Sequence, residues 1–207
     1  MNGSGATRSI IHSGISVKQW MEALPSVDAV RPSCCPSCGC AGRPAGARIG
    51  IVGHGRRERQ QRGPVTPAGP PALVQLLVRR YLCRCGAILM VVPRETQPRR
   101  LYTVSAIGWA LALFGVTRLP PRRVREQTSP WKVVGATAAR GWVTLRRWVH
   151  AVRAGRLLPC VRPSPADFGL RQIAERAATT VAGHAPPSSP ATDGIAARAF
   201  VGAALAW

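Results

Sequence analysis

Six of the seven cysteines fall into two tight clusters, and this spacing constrains the fold more than any other feature of the sequence. Cys35 and Cys38 are separated by two residues, Cys83 and Cys85 by one, and a glycine follows each pair. Such a knuckle turns both thiolates toward one point, and the glycine accepts the positive φ of the turn. Residues 1–30 contain no apolar signal segment, so the clusters indicate metal binding rather than disulfides.

The two knuckles together predict one structural zinc ion (Zn²⁺), with these ligands: Cys35, Cys38, Cys83 and Cys85. Four thiolates at about 2.3 Å make a closed site with no open position for catalysis. The second knuckle is one residue shorter than the usual spacing, which leaves alternatives open. Cys40 or His54 is the alternative to Cys85, and Cys34 is the alternative to Cys35.

Segments typical of β-strands surround the knuckles. Residues 73–82 alternate, with Val74, Leu76 and Val78 on one side, and run directly into the second knuckle, after which residues 87–92 return as a further strand. Upstream, residues 48–52 predict a strand, with a turn at 53–55 and an arginine-rich return arm at 56–62. This layout predicts a small antiparallel β zinc ribbon over residues 31–93, preceded by residues 1–30 as a tail and a short helix.

The pattern becomes helical after a basic linker. Residues 101–117 predict a buried helix, and two prolines at 120 and 121 open a second one. Thr137 is expected to cap a third, long helix that runs to Ala154 and buries Trp142 and Leu145. Residues 101–155 are therefore predicted to form a helix-turn-helix, and residues 166–207 a set of alanine-rich helices. The fold class expected for the chain is α+β, a zinc ribbon followed by a mainly α helix-turn-helix bundle.

The chain carries 29 Lys+Arg against 8 Asp+Glu, a net charge of +21, which predicts a polyanionic partner. In a helix-turn-helix the last helix lies in the major groove of DNA, and the helix before it crosses the backbone. DNA is therefore the expected partner. The candidate DNA-binding residues are the arginines away from the apolar stripes: Arg122, Arg123, Arg125, Arg140, Arg146, Arg147 and Arg153.

The order of these motifs is similar to a known group of proteins. A CPxCG knuckle, a glycine- and arginine-rich hairpin, an Arg79-Arg80-Tyr81-x-Cys83 strand and a helix-turn-helix resemble the zinc-binding N-terminal region of bacterial insertion-sequence transposases. They resemble more closely a set of transposase-like proteins with a domain of unassigned function. The resemblance covers residues 17–155, and the shortened second knuckle departs from it. It implies that the cysteines bind zinc and that the helices bind the ends of mobile DNA.

No catalytic set is visible in the sequence. A ribonuclease-H-like transposase core needs carboxylates that hold two metal ions, and none of the eight acidic residues follows a convincing strand in an alternating strand-helix pattern. We therefore expect a non-enzyme without a small-molecule substrate.

Two alternatives to a DNA-binding regulator stay open, an RNA-binding zinc ribbon and the truncated N-terminal part of a transposase. Residues 101–117 are apolar, but they are at the lower limit for a membrane span and closely flanked by arginine, which favours a buried helix and a cytoplasmic protein.

Overall fold

The computed structural model describes residues 7–132, 141–187 and 194–206 and belongs to the mixed α+β class. The strands are β1 (Arg8–His12), β2 (Ile51–Gly63), β3 (Ala72–Cys83) and β4 (Ile88–Val92). The helices are α1 (Val17–Glu22), α2 (Val104–Gly115), α3 (Pro121–Thr128), α4 (Val143–Arg153), α5 (Leu170–Ala182) and α6 (Ile195–Leu205). The chain divides into two compact units, Met1–Gln60 with Gln75–Pro98, and Gln61–Val74 with Arg99–Trp207.

The four strands form one sheet in the order β1-β4-β3-β2. β3 pairs antiparallel with β4, as expected for a ribbon, with Arg79 opposite Val91. β1 pairs parallel with β4, with Arg8 opposite Ile88, so the sheet is not purely antiparallel. Residues 8–12 were expected to belong to a tail. They form a strand because Ile10 and its neighbours pair with β4, about 80 residues later in the chain. The local sequence does not indicate such a distant pairing.

β2 is one continuous strand of 13 residues. The expected turn at residues 53–55, with residues 56–62 as a return arm, is wrong. Gly53 and Gly55 lie within the strand, and Gly55 has a φ of +87°, so the glycines are accommodated without reversing the chain. The partner of β2 is β3, reached through the proline- and glycine-rich segment 64–71. The expected alternation of β3 is present, because Leu76 and Val78 are buried while Leu77 is exposed.

The core of the second unit is built around α2, whose 12 residues are all buried. α5 and α6 pack against it, and glycines allow the backbones to approach closely. A methyl group added at Gly115 would overlap the backbone of Glu175 on α5, and one added at Gly202 would overlap the carbonyl of Val181. Most alanines of α5 and α6 are buried as well, so small side chains are what allow these helices to pack closely.

The helices after α2 differ in part from expectation. α3 begins at Pro121, as predicted, because proline suits the first turn. α4 begins at Val143 and not at Thr137, because Gly141 has a φ of +68° and Trp142 is extended. Thr137 itself lies in 133–140, outside the described residues. Because that segment belongs to the connection between α3 and α4, the helix-turn-helix stays a prediction.

Residues that follow α4 also enter the core. Leu157 and Leu158 are fully buried, although the segment 156–165 that contains them is rich in proline. Tyr102, Trp142 and Trp148 form an edge-to-face cluster nearby, with the two indole centroids 5.0 Å apart. Among the helices of the described ranges, none has the length and apolar character needed to cross a membrane.

Candidate functional site

The two cysteine knuckles meet in space. The Sγ atoms of Cys35, Cys38, Cys83 and Cys85 all lie within 4.8 Å of one another. Two pairs join the knuckles, Cys35 with Cys85 at 3.8 Å and Cys38 with Cys83 at 3.7 Å. Sulfur atoms at the corners of a tetrahedron with metal–sulfur bonds of about 2.3 Å lie about 3.8 Å apart. The cluster therefore has the dimensions of a four-thiolate site and could hold one metal ion.

The first knuckle is closed by two backbone hydrogen bonds. The Cys35 N–H donates to the Cys40 carbonyl at 2.9 Å, and the Gly39 N–H donates to the Cys35 carbonyl at 2.8 Å. The second bond spans four residues and requires the left-handed backbone of Gly39, whose φ is +71°. The turn directs the thiols of Cys35 and Cys38 to the same side, as the sequence spacing predicts.

The second knuckle also directs its two thiols to the same side, although it has one residue fewer between its cysteines. The Cys83 N–H donates to the Ala87 carbonyl at 2.9 Å, and the Gly86 N–H donates to the Cys83 carbonyl at 2.8 Å. Here the glycine bond spans three residues instead of four, and Gly86 has a φ of +85°. The tighter turn thus compensates for the shorter spacing, and Cys85 remains within the cluster.

Backbone N–H groups favour the thiolate form in the first knuckle. The pKa of Cys38 falls to about 6, chiefly because the Cys40 N–H donates to its sulfur. For Cys35, burial opposes ionisation, but the N–H groups of Ser37 and Cys38 outweigh it and bring the pKa below its ordinary value. Both sulfurs of this knuckle are therefore prepared to act as anionic ligands.

Both thiols of the second knuckle have a pKa above the ordinary value for cysteine. Burial raises the pKa of the Cys83 thiol strongly, and Cys83 is only 1% exposed. For Cys85, the N–H of Ala87 and the thiol of Cys83 lower the pKa, but the proximity of Cys38 and Cys35 together with desolvation outweighs them, so the pKa is raised. Four thiolates at this distance repel one another, so a cation is what would allow all four to ionise.

A fifth cysteine borders the cluster. The Sγ of Cys40 lies 3.2 Å from that of Cys83, but Cys40 does not belong to the set in which every sulfur is close to every other. Cys34 is exposed and forms an isolated β-bridge with Ala41. His54 lies in β2, and within the described residues the cluster does not include it. The geometry thus favours Cys85 over Cys40 and His54, and Cys35 over Cys34.

Two of the three candidate DNA-binding arginines of α3 pair with an acidic residue of the same helix. Arg122 and Arg123 are exposed, and both pair with Glu126, at 3.2 and 2.9 Å. Arg125 is half-buried, with a shielded Nε atom. Exposed pairs of this kind are worth little and open readily, so the first two arginines can exchange partners at small cost. Arg125 is less accessible than the sequence predicts.

The arginines of α4 are better placed. Arg146 and Arg147 are exposed, on the side opposite to the buried residues Leu145, Trp148 and Val149. Neither has an ion pair among the described residues. Arg153 is exposed too, but its guanidinium donates to the Phe168 carbonyl.

Arg140, the remaining candidate on this part of the chain, lies outside the described residues. Each unit therefore has its own candidate site: a four-cysteine cluster that could bind a metal ion in the first, and a helix with a basic exposed face in the second. Comparison with protein-family models, with curated proteins and with solved structures found no match to the chain.

Proposed function

We propose that the chain is a zinc-containing DNA-binding protein. In this proposal a structural zinc ion holds the two knuckles together, and α4 enters the major groove. The observation that carries the DNA proposal is the exposed face of α4, which is basic and faces away from a well-packed core. The resemblance to the N-terminal region of transposases supports the same function, because there the helices bind the ends of mobile DNA.

Zinc suits the cysteine cluster for two reasons. Four thiolates in tetrahedral arrangement are preferred by zinc or by iron, and sulfur atoms this close together surround a single ion rather than a multi-iron cluster. Zinc has no redox chemistry, and a site with four protein ligands has no open position for substrate. Metal analysis of the purified protein tests the identity, with one zinc per chain expected and iron as the contradicting result.

α4 has the dimensions and charge of a helix that reads DNA. Its 11 residues span about 16 Å, and its sequence contains two arginines in the middle, His150 and a final arginine, with no acidic residue. The major groove is about 12 Å wide and admits one helix. Arg146 and Arg147 project from the exposed face and can bind phosphate or the edge of guanine bidentately.

Three acidic residues of the described ranges have structural contacts, which favours a binding protein over an enzyme. Glu95 is buried and accepts a hydrogen bond from the Val17 N–H at 2.8 Å. Asp28 pairs with Arg31, and Glu175 pairs with Arg118 at 3.0 Å. These carboxylates serve local structural contacts and do not converge in the way that a two-metal centre requires.

RNA binding by the cysteine-containing unit is the less favoured alternative. Recognition of single-stranded RNA depends on exposed aromatic side chains that stack on bases. This unit contains one tryptophan, Trp20, one tyrosine, Tyr81, and no phenylalanine. Both aromatic side chains are buried. The Trp20 indole donates to the Leu77 carbonyl, and the Tyr81 hydroxyl donates to the Val27 carbonyl. Both rings therefore support the fold and are not available for stacking.

The test of DNA binding is the double variant Arg146→Gln with Arg147→Gln. Affinity for a duplex selected from a random pool, and for a scrambled duplex, is measured by fluorescence anisotropy over a range of salt concentrations. Each lost phosphate contact should flatten the slope of log K against log salt by about 0.9, and a lost base contact should weaken the selected duplex alone by about 1–3 kcal/mol.

The matched control is Arg162→Gln, which removes an exposed arginine of the same unit outside α4. It should change both affinities much less than the α4 variant does. If the α4 double variant keeps the affinities and the salt slope of the unmodified chain, α4 does not enter the groove.

A further inference from the structure

A second basic surface lies on one face of the β-sheet, in the cysteine-containing unit. It is a groove of about 350 Å³ lined by Arg8 of β1, Arg57 of β2, Arg80 of β3 and two β4 residues, Ile88 and Met90. All four strands of the sheet contribute to it. We refer to it as the arginine groove.

The strand register explains why these side chains share a face. Arg8 is opposite Ile88, and Arg80 is opposite Met90, so these four residues point to the same side of the sheet. Along β4, Ile88 and Met90 are half-buried, whereas the intervening Leu89 is fully buried. The alternation shows that the groove side of β4 is partly open and that the opposite side is covered.

The covering segment precedes the first knuckle. The Tyr81 hydroxyl donates to the Val27 carbonyl at 2.6 Å, and the Arg79 guanidinium donates to the Pro25 carbonyl at 2.9 and 2.7 Å. Arg79 and Tyr81 flank Arg80 in β3, so they project to the opposite face. The fold thus commits one arginine of this strand to an internal contact and leaves the next one to the open face.

The charge of the groove is uncompensated. Its lining contains three arginines and no acidic residue. Within the part of the chain that the structure describes, Arg8, Arg57 and Arg80 take part in no ion pair. Three guanidinium groups on an aliphatic floor attract an anion with several charges, and the absence of an aromatic ring from the lining gives bases no surface on which to stack.

We propose that the arginine groove binds the sugar-phosphate backbone of duplex DNA. The inference rests on the proposed function and adds a second contact to it. Arg8 and Arg57 belong to the two edge strands, three strand spacings apart, which is about 14 Å. Measured along the helix axis of the duplex, that distance spans about four base pairs, each with a rise of 3.4 Å. The groove supplies affinity without sequence preference, because phosphates carry no sequence information.

The experiment compares two double variants of the full-length protein. Arg57→Gln with Arg80→Gln removes two groove arginines, and Arg48→Gln with Arg56→Gln removes two arginines of the same unit that do not line the groove. Binding of the selected and the scrambled duplex is measured over a range of salt concentrations, and circular dichroism verifies that both variants are folded.

The groove variant should flatten the salt slope by about 1.8 for both duplexes and leave the ratio of their affinities unchanged. The control variant should alter the slope by less than half as much. If the groove variant keeps the slope of the unmodified protein, or loses no more than the control, the groove does not contact phosphate. If the unmodified protein binds neither duplex, the proposed function fails as well. If the α4 variant weakens binding and the groove variant does not, the proposal for the groove is wrong and the proposed function stands.

Discussion

The Sγ of Cys40 lies 3.2 Å from the Sγ of Cys83, closer than the Sγ of Cys38, which is 3.7 Å away. Cys40 is nevertheless outside the set of four sulfurs that are mutually close. It follows the glycine of the first knuckle, and its carbonyl accepts the hydrogen bond that closes the turn. Cys40 therefore supports the knuckle through its backbone, and the geometry favours Cys85 over the Cys40 side chain as the fourth ligand of the proposed zinc ion.

This relationship gives the first prediction. Cys85→Ser should reduce zinc affinity as strongly as Cys83→Ser, because either change removes one of four thiolates. Cys40→Ser should retain one zinc per chain, because serine preserves the backbone bond. Competition with a chromophoric chelator measures the affinities. A larger loss for Cys40→Ser than for Cys85→Ser would assign the fourth ligand to Cys40.

The second prediction concerns thiol reactivity in the metal-free protein. The pKa of Cys38 is about 6 and its side chain is exposed, so at pH 7 the reactive thiolate predominates. Cys83 is buried with a raised pKa and remains a thiol. Iodoacetamide should therefore modify Cys38 first, and its rate should fall as the pH drops through 6. Mass spectrometry of the modified peptides checks the order; equal rates at the two cysteines would contradict it.

The third prediction concerns the glycines that hold the helices of the second unit together. Gly115→Ala and Gly202→Ala each introduce a methyl group into the backbone of a neighbouring element and should lower the free energy of unfolding by about 1–3 kcal/mol or more. Gly14→Ala is the control, because a methyl group there meets nothing within 4 Å. Urea denaturation provides the measurement. Wild-type stability in both core variants would show that α2, α5 and α6 do not pack this closely.

The fourth prediction compares two tryptophans of the same unit. Trp148 is buried against Tyr102 and Trp142, so Trp148→Ala should cost about 3–5 kcal/mol of unfolding free energy. Trp131 is 49% exposed, and the guanidinium of Arg62 lies 5.7 Å from the centroid of its ring. Trp131→Ala should therefore cost no more than about 1 kcal/mol. Similar losses for the two variants would contradict the burial of Trp148.

The cysteine cluster could be predicted from the sequence because each knuckle is local. Cys35 and Cys38 are directed together by a turn of a few residues, and the strand that precedes Cys83 is recognisable from its alternation. The sequence does not show that Cys85 joins the cluster despite the short spacing of the second knuckle. That outcome depends on which carbonyl accepts the hydrogen bond from the Gly86 N–H. Spacing alone therefore left Cys40 and His54 as alternatives.

Other features depend on partners distant in sequence. β1 exists because Arg8 and the residues after it pair with β4, some 80 residues later, and no local pattern signals a parallel edge strand. The arginine groove was missed for the same reason, since its three arginines come from three strands. The start of α4 was misplaced because helical periodicity continues through Gly141 and Trp142, whose backbone angles are not helical.

The division of the chain into two units also limits which fragments of the chain contain a whole unit. The backbone passes from one unit to the other three times, after Gln60, Val74 and Pro98. A fragment that starts at Arg99 lacks Arg62, whose N–H donates to the Leu101 carbonyl at 2.7 Å. No single cut in the chain separates the two units intact, so we expect the cysteine cluster and the helical unit to be inherited together.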